Sequence, residues 1–268
     1  MIEEPVSRIR RARFDLIGPG LVLNAPIERQ QSVPMITLRR ADQRRHVRRR
    51  KHEAWLTFYP QDRAQPLAGG FGALETLNEE RLPPGGRGPP HLHQDAEIVT
   101  YVLEGALAHE DSTGRSSVTH AGEFHCLTAG RGVCHSETNA SRTDWAHVFQ
   151  IWLHPSMAGL EPSNERKRFC AAERRGLLRV VASPDGRKGS LRIRQDALIF
   201  SALLDPGQHL VHELRDGRSA WLHVVRGEAR FGDAVLTTGD GAGITADRAV
   251  SFTAQEKTEI LLLDLRSI

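Results

Sequence analysis

Apolar and polar residues alternate over short stretches along most of this chain, and the stretches are separated by clusters of turn-forming residues. Successive side chains of a strand point to opposite faces, so such alternation marks a sheet with one face in a core. The pattern predicts strands over residues 97–103, 106–110, 117–120, 123–127, 148–153, 191–195, 197–204, 220–225, 229–231 and 259–265. Asp111-Ser112-Thr113-Gly114 and Phe231-Gly232-Asp233 read as the turns of hairpins. Helical periodicity is scarce, and the fold class expected is all-β.

The alternating segments come in two sets. Tyr101-Val-Leu-Glu-Gly105-Ala-Leu is echoed by His223-Val-Val-Arg-Gly227-Glu-Ala, and His120-Ala-Gly122-Glu is echoed by Thr238-Gly239-Asp240. Each set gives a strand, a glycine turn, a strand, and a Gly-acid turn into another strand, the signature of an internal repeat. Two stacked β-barrels are expected. The organisation read from this is a poorly ordered extension over 1–34, a first domain over 35–160, a linker over 161–180 and a second domain over 181–268.

Candidate chemistry sits in the first set. His91 and His93 are one residue apart, and so are His135 and Glu137 further along. Side chains at i and i+2 of a strand share a face. Two such strands brought together would aim three imidazoles and one carboxylate at a common point, which is a metal site with room for further ligands. Three histidines and a carboxylate with open positions suit Fe(II), and also Mn, Co, Ni or Cu, with Zn a further candidate. A structural zinc would close its shell at four ligands and favour cysteine, so the open shell argues for catalysis. The second set lacks the pairs. Its His209 and His212 are three apart and fall on opposite faces of a strand, so no metal is expected there.

Composition refines this reading only at a few points. With 39% hydrophobic and 26% charged residues the chain is that of a globular protein. No apolar run approaches the roughly 20 residues that span a bilayer, so no membrane partner is expected. The net charge of +3 is unevenly placed. Arg39, Arg40, Arg44, Arg45, Arg48, Arg49, Arg50 and Lys51 crowd one stretch with only Asp42 as an acid. That run reads as a solvated edge strand or loop, with a phosphate-binding patch as the alternative; a nucleic-acid partner is not expected. Cys126, Cys134 and Cys170 form no disulfide framework, which points to a reducing cytoplasm, and Cys134 is expected to be a buried free thiol facing away from the metal.

The first set also follows the cupin pattern, in which Gly85 precedes His91-Leu-His93 and Glu97, and Gly122 leads to His135 and Asn139. From about Met35 onward the chain resembles the pirin family, and within it the bacterial pirin-like quercetin 2,3-dioxygenases. The resemblance rests on His91-Leu-His93, Glu97-Ile-Val-Thr-Tyr-Val-Leu-Glu-Gly105, His109-Glu-Asp-Ser112, Thr128-Ala-Gly-Arg-Gly132, His135-Ser-Glu137 and Gln150-Ile-Trp152. Ser183-Pro-Asp185 and Gly189-Ser190-Leu191 match further along. Leu92 departs from the usual proline between the first two histidines, Pro89-Pro90 replaces a Gly-containing approach, and an aromatic common just before the motif is absent.

The resemblance implies a bicupin whose first barrel holds one metal, usually taken to be iron, through His91, His93, His135 and Glu137. In generic cupins the glutamate after His-x-His is itself a ligand. The pirin pattern gives that role to Glu137 and leaves Glu97 to orient a histidine by a hydrogen bond. His109, His120, His125, His147 and His154 are expected to be structural or exposed. The activity implied is cleavage of a flavonol such as quercetin by O2 with release of carbon monoxide, Glu137 serving as base, in a monomeric enzyme. The alternative the resemblance carries is a regulator that binds a transcription factor or metabolic enzyme through a metal-responsive surface; a metal-stabilised scaffold without turnover is a third.

Overall fold

The computed structural model describes residues 35–49, 51–60 and 67–267. The extension expected over 1–34, and Arg50 of the basic run, lie outside these residues. The described chain is almost entirely β, and its strands form two seven-stranded and two four-stranded sheets. The first seven-stranded sheet runs in the order Ser163–Arg168, Glu123–Thr128, Glu97–Glu104, Ala146–Leu153, Leu74–Leu82, His52–Leu56 and Arg45–Arg49. Its four-stranded companion is His91–His93, Val133–Asn139, Ala106–Asp111 and Ser116–His120.

The second half repeats this plan. Met35–Arg39, Gly241–Thr245, Arg218–Arg226, Thr258–Arg266, Ala197–Leu204, Arg179–Ser183 and Leu191–Arg192 make the large sheet. His209–Glu213, Ala249–Ala254, Glu228–Phe231 and Ala234–Thr237 make the small one. The outermost strand is exchanged. Met35–Arg39 pairs antiparallel with Gly241–Thr245 of the second half, while Ser163–Arg168, inside the stretch expected as a linker, pairs with Glu123–Thr128 of the first.

The two glycine turns that revealed the repeat do the same work in both halves. Gly105 has φ 73° and Gly227 has φ 89°, the left-handed region that favours glycine. A β-carbon at either position would also collide with backbone, at Trp145 O and Lys257 O respectively. Each glycine therefore ends a long strand and turns it into the small sheet.

Alternation along the strands decides what each face buries. Val99, Tyr101, Phe149, Ile151 and Leu153 of the first half join Ile199, Trp221, Leu261 and Leu263 of the second in one buried apolar cluster. The opposite faces differ between the halves. In the second, Ala220, Leu222, Val224, Phe231, Leu236, Ile244 and Phe252 form a continuous apolar core. In the first, the corresponding apolar residues split into two small groups, one around Val102 and Val148 and the other around Ile98 and Val133. Buried Thr100, His93, His109, His125, His135 and Gln150 belong to this half.

The basic run divides between inside and outside. Arg45–Arg49 is an edge strand with largely exposed side chains, whereas Arg39 and Arg44 are buried. Arg44 Nη1 lies 2.8 Å from Glu79 Oε2, and Arg40 Nη1 lies 2.9 Å from Asp240 Oδ2. Part of the run thus fastens the crossover from Met35–Arg39 to the first half. A second buried polar group bridges the halves at Tyr101, whose hydroxyl donates to Glu259 Oε1 at 2.5 Å and accepts from Arg174 Nη1 at 3.0 Å. The cysteines are free, with Cys126 buried, Cys134 half-buried rather than buried, and Cys170 exposed.

Candidate metal centre

Three adjacent strands of the first small sheet carry the site. His91 stands opposite His135, and His135 stands opposite Asp111; one step along, Glu137 stands opposite His109. Directly paired residues share a face of the sheet, so all of these, with His93, point the same way. The approach to the first pair is held by Asn139, whose Nδ2 donates to the carbonyls of Leu82, Pro83 and Asp144. Gly88 N donates to Glu137 O at 2.9 Å, seating Pro89-Pro90 against the second ligand strand. Past His93 the chain turns at Asp95, which has φ 48° and whose Oδ1 accepts from Gly159 N at 2.7 Å.

The structure brings His91, His93 and His135 together, with one ring nitrogen of each within 4.8 Å of the others. His91 Nδ1 is 3.0 Å from the Pro89 carbonyl, and His91 Nε2 is 3.0 Å from His135 Nε2. His93 Nε2 is buried and has no hydrogen-bond partner. Buried nitrogens are rarely left orphaned, and a cation shared by the three rings satisfies this one. His93 is further fixed by Trp152, whose ring stands edge-on at 4.7 Å between centroids. His91 is exposed, so the cluster opens to solvent on its side.

Glu137 belongs to a second grouping with His135 and His109, also within 4.8 Å. Its Oε2 accepts a hydrogen bond from Gln150 Nε2 at 2.5 Å, and Gln150 Oε1 accepts from Trp152 Nε1 at 3.4 Å. The residue is partly exposed, but its carboxyl is desolvated; that burial, with Glu80 nearby, pushes its pKa up to about 8 against the opposing Gln150 bond. Glu97, the other sequence candidate, is fully buried, and its Oε2 accepts from Arg194 N at 2.9 Å and Thr128 Oγ1 at 3.1 Å. No histidine is among its hydrogen-bond partners in the described residues, and its Oε1 is buried without a hydrogen-bond partner. Glu97 ties the first half to Arg194 of the second.

Burial dominates the protonation of the rings. It lowers His135 to about 3, helped by His91, His93 and the other neighbouring imidazoles, and lowers His93 to about 4, helped by His91. Burial likewise lowers His109, against the pull of Asp111, and lowers His125 to about 4. Neutral imidazole is the form that ligates a metal. The donor set is neutral nitrogen with a carboxylate close by and no thiolate, which fits a divalent first-row transition ion.

Sequence reasoning missed His109 and Asp111. The side chains of both are covered at the site, with His109 Nδ1 3.2 Å from His135 Nδ1 and His109 Nε2 3.4 Å from Asp111 Oδ2. They are an i, i+2 pair like His91 and His93, so the same-face test applied to them as well. What the sequence lacked was the register that sets them opposite Glu137 and His135. His120 and His154 are exposed, His147 bonds Glu79, and in the second half His209 and His212 bond Thr253 and Asp264.

Paired large and small sheets repeated twice, with a histidine cluster in the first pair, define a bicupin. The chain belongs to the pirin family. Residues 39–153 match the family described as pirin, and residues 180–265 match the quercetinase C-terminal cupin domain. The chain is 38% identical over 231 residues to a quercetin 2,3-dioxygenase of Escherichia coli K12, covering 86% of this chain and 99% of that protein. The crystal structure of the bacterial pirin YhhW from Escherichia coli in complex with nickel(II) superposes with a TM-score of 0.82 at 36% identity, covering 87% of this chain and all of that one. The Escherichia coli protein YhaK superposes with a TM-score of 0.67 at 30% identity over 74% of this chain and 87% of its own. Among the described residues, no helix is long and apolar enough to cross a membrane.

Proposed function

We propose that this chain is a metal-dependent dioxygenase that cleaves flavonols such as quercetin with O2 and releases carbon monoxide. The observation that carries the reading is the convergence of His91, His93 and His135 around a buried, unpartnered His93 Nε2. Those three rings would hold the ion, with Glu137 as the fourth ligand. Fe(II) is the ion expected from the family resemblance, and the nickel complex of the related YhhW makes Ni(II) the first alternative. Such an ion, when bound, supplies Lewis-acid activation of a hydroxyl and a route for electrons from an electron-rich ring to O2.

The remaining work falls to this chain's own side chains. Glu137 would take the proton of the flavonol 3-hydroxyl on its carboxylate, as a base positioned beside the ion. Gln150 orients that carboxylate through its Nε2, and Trp152 holds Gln150 in turn.

The test is a steady-state comparison of wild type with Glu137→Gln, which keeps size and the ability to accept from Gln150. The variant should fold normally and lose at least about a hundredfold in flavonol turnover, the order a general base contributes. Unchanged turnover would remove Glu137 from the base role.

A further inference from the structure

We propose that Asp111, acting through His109, holds the single proton of His135 on Nδ1 and so keeps the Nε2 lone pair of His135 turned toward the ion. This inference rests on the metal centre proposed above, and it assigns to the neighbouring strand Ala106–Asp111 a part in building that centre.

Asp111 is anchored from below. Its Oδ1 accepts from Thr113 N at 2.8 Å, Thr113 Oγ1 at 2.5 Å and Arg115 N at 3.3 Å, and its Oδ2 accepts from Asn164 Nδ2 at 3.2 Å. Four donors converge on its two oxygens, the surroundings of an ionised carboxylate. An ionised carboxylate only accepts hydrogen bonds. His109 Nε2, 3.4 Å from Oδ2, must therefore carry the hydrogen. A neutral imidazole has one N–H, so His109 Nδ1 presents a lone pair. His135 Nδ1 lies 3.2 Å from that lone pair and must be the donor. The one proton of His135 is then spent on this bond, and its Nε2 is bare.

The other side of the cluster is fixed by the same logic. The Pro89 carbonyl can only accept, so His91 Nδ1 donates to it and His91 Nε2 is bare as well. Two bare nitrogens 3.0 Å apart repel each other unless a cation lies between them. The competing arrangement puts the proton of His135 on Nε2, where it would donate to His91 Nε2. That bond stabilises the metal-free cluster and must be broken for His135 to ligate. It would also leave either two Nδ1 lone pairs facing each other at 3.2 Å or His109 with its lone pair against Asp111 Oδ2. The anchored carboxylate thus disfavours the tautomer that closes the site.

The proposal is tested on the full chain without metal, carrying ¹⁵N-labelled histidine, by long-range proton–nitrogen correlation spectra that report which ring nitrogen is protonated. The His135 signals are assigned by their loss in His135→Gln. Wild type should show His135 protonated on Nδ1. In His109→Leu the proton should move to Nε2, and Co(II) affinity measured by chelator competition should fall about 10- to 100-fold, the order typical for groups that orient a metal-bound histidine. His109→Gln, whose amide oxygen can accept from His135 Nδ1, should keep the Nδ1 tautomer and an affinity closer to wild type. A wild-type His135 protonated on Nε2 would overturn the proposal, and so would His109→Leu with unchanged Co(II) affinity. None of these readouts uses turnover. A wild type that shows the predicted tautomer and binds Co(II), yet never consumes a flavonol, would therefore sink the substrate reading alone.

Discussion

Glu79 is the largely buried carboxylate that holds the crossover from Met35–Arg39 to the first half, and its removal makes a quantitative prediction. Its carboxylate takes Arg44 Nη1 at 2.8 Å on one oxygen and His147 Nε2 at 2.8 Å on the other, and its side chain is only 14% exposed. Burial alone would raise its pKa, but the His147 bond and the Arg44 charge win and lower it from 4.5 to about 2. A shift of about 2.5 units at about 1.36 kcal/mol each gives roughly 3 kcal/mol of stability at pH 7. That agrees with the roughly 3–5 kcal/mol lost when one member of a buried ion pair is removed and the other is left behind. Because the folded pKa is depressed, the contribution is complete above the unfolded value near 4.5 and is lost as pH falls through about 2. Glu79→Gln mimics the protonated acid. Urea unfolding of wild type and variant should differ by about 3 kcal/mol at pH 7, by about half that at pH 3, and by little at pH 2. A difference that is the same at pH 7 and pH 2.5, or one below about 1 kcal/mol at pH 7, would refute the reasoning.

His135→Ala should abolish stoichiometric metal binding, whereas Glu97→Gln should retain it, since Glu97 bonds Thr128 and Arg194 rather than a ligand; metal analysis of the purified variants decides both. Gly241→Ala would drive a β-carbon into the Trp221 ring and should cost about 1–3 kcal/mol by overpacking, read as a lowered thermal midpoint. Tyr101→Phe keeps the stack on Phe124 but removes the hydroxyl between Glu259 and Arg174, and should cost about 1.5–3 kcal/mol in the same melt.

What could be read from the chain alone followed strand periodicity closely. That His91, His93, His135 and Glu137 share one face of the small sheet was legible because an i, i+2 step is a local property of a strand. So was the doubling, because Gly105 and Gly227 are forced by backbone geometry at equivalent turns. The residues that escaped depend on pairing between distant segments. Ser163–Arg168 is an edge strand with exposed charge along it, so it carries no apolar alternation and reads as linker in the sequence. Met35–Arg39 is read correctly only once it is seen beside Gly241–Thr245. Arg39 and Arg44 look like surface charge in a basic run, and Arg44 is buried because Glu79 reaches it from another strand. His109 needed the register against Glu137 before its proximity to His135 could be seen.

The most direct test of the account is anaerobic reconstitution with Fe(II), Mn(II), Ni(II), Co(II) or Cu(II), each followed by quercetin and O2. The expected result is one ion per chain and, with at least one of these metals, loss of flavonol absorbance together with carbon monoxide, both abolished by His93→Ala. Tight binding of every ion with no flavonol consumed by any would contradict the proposed reaction.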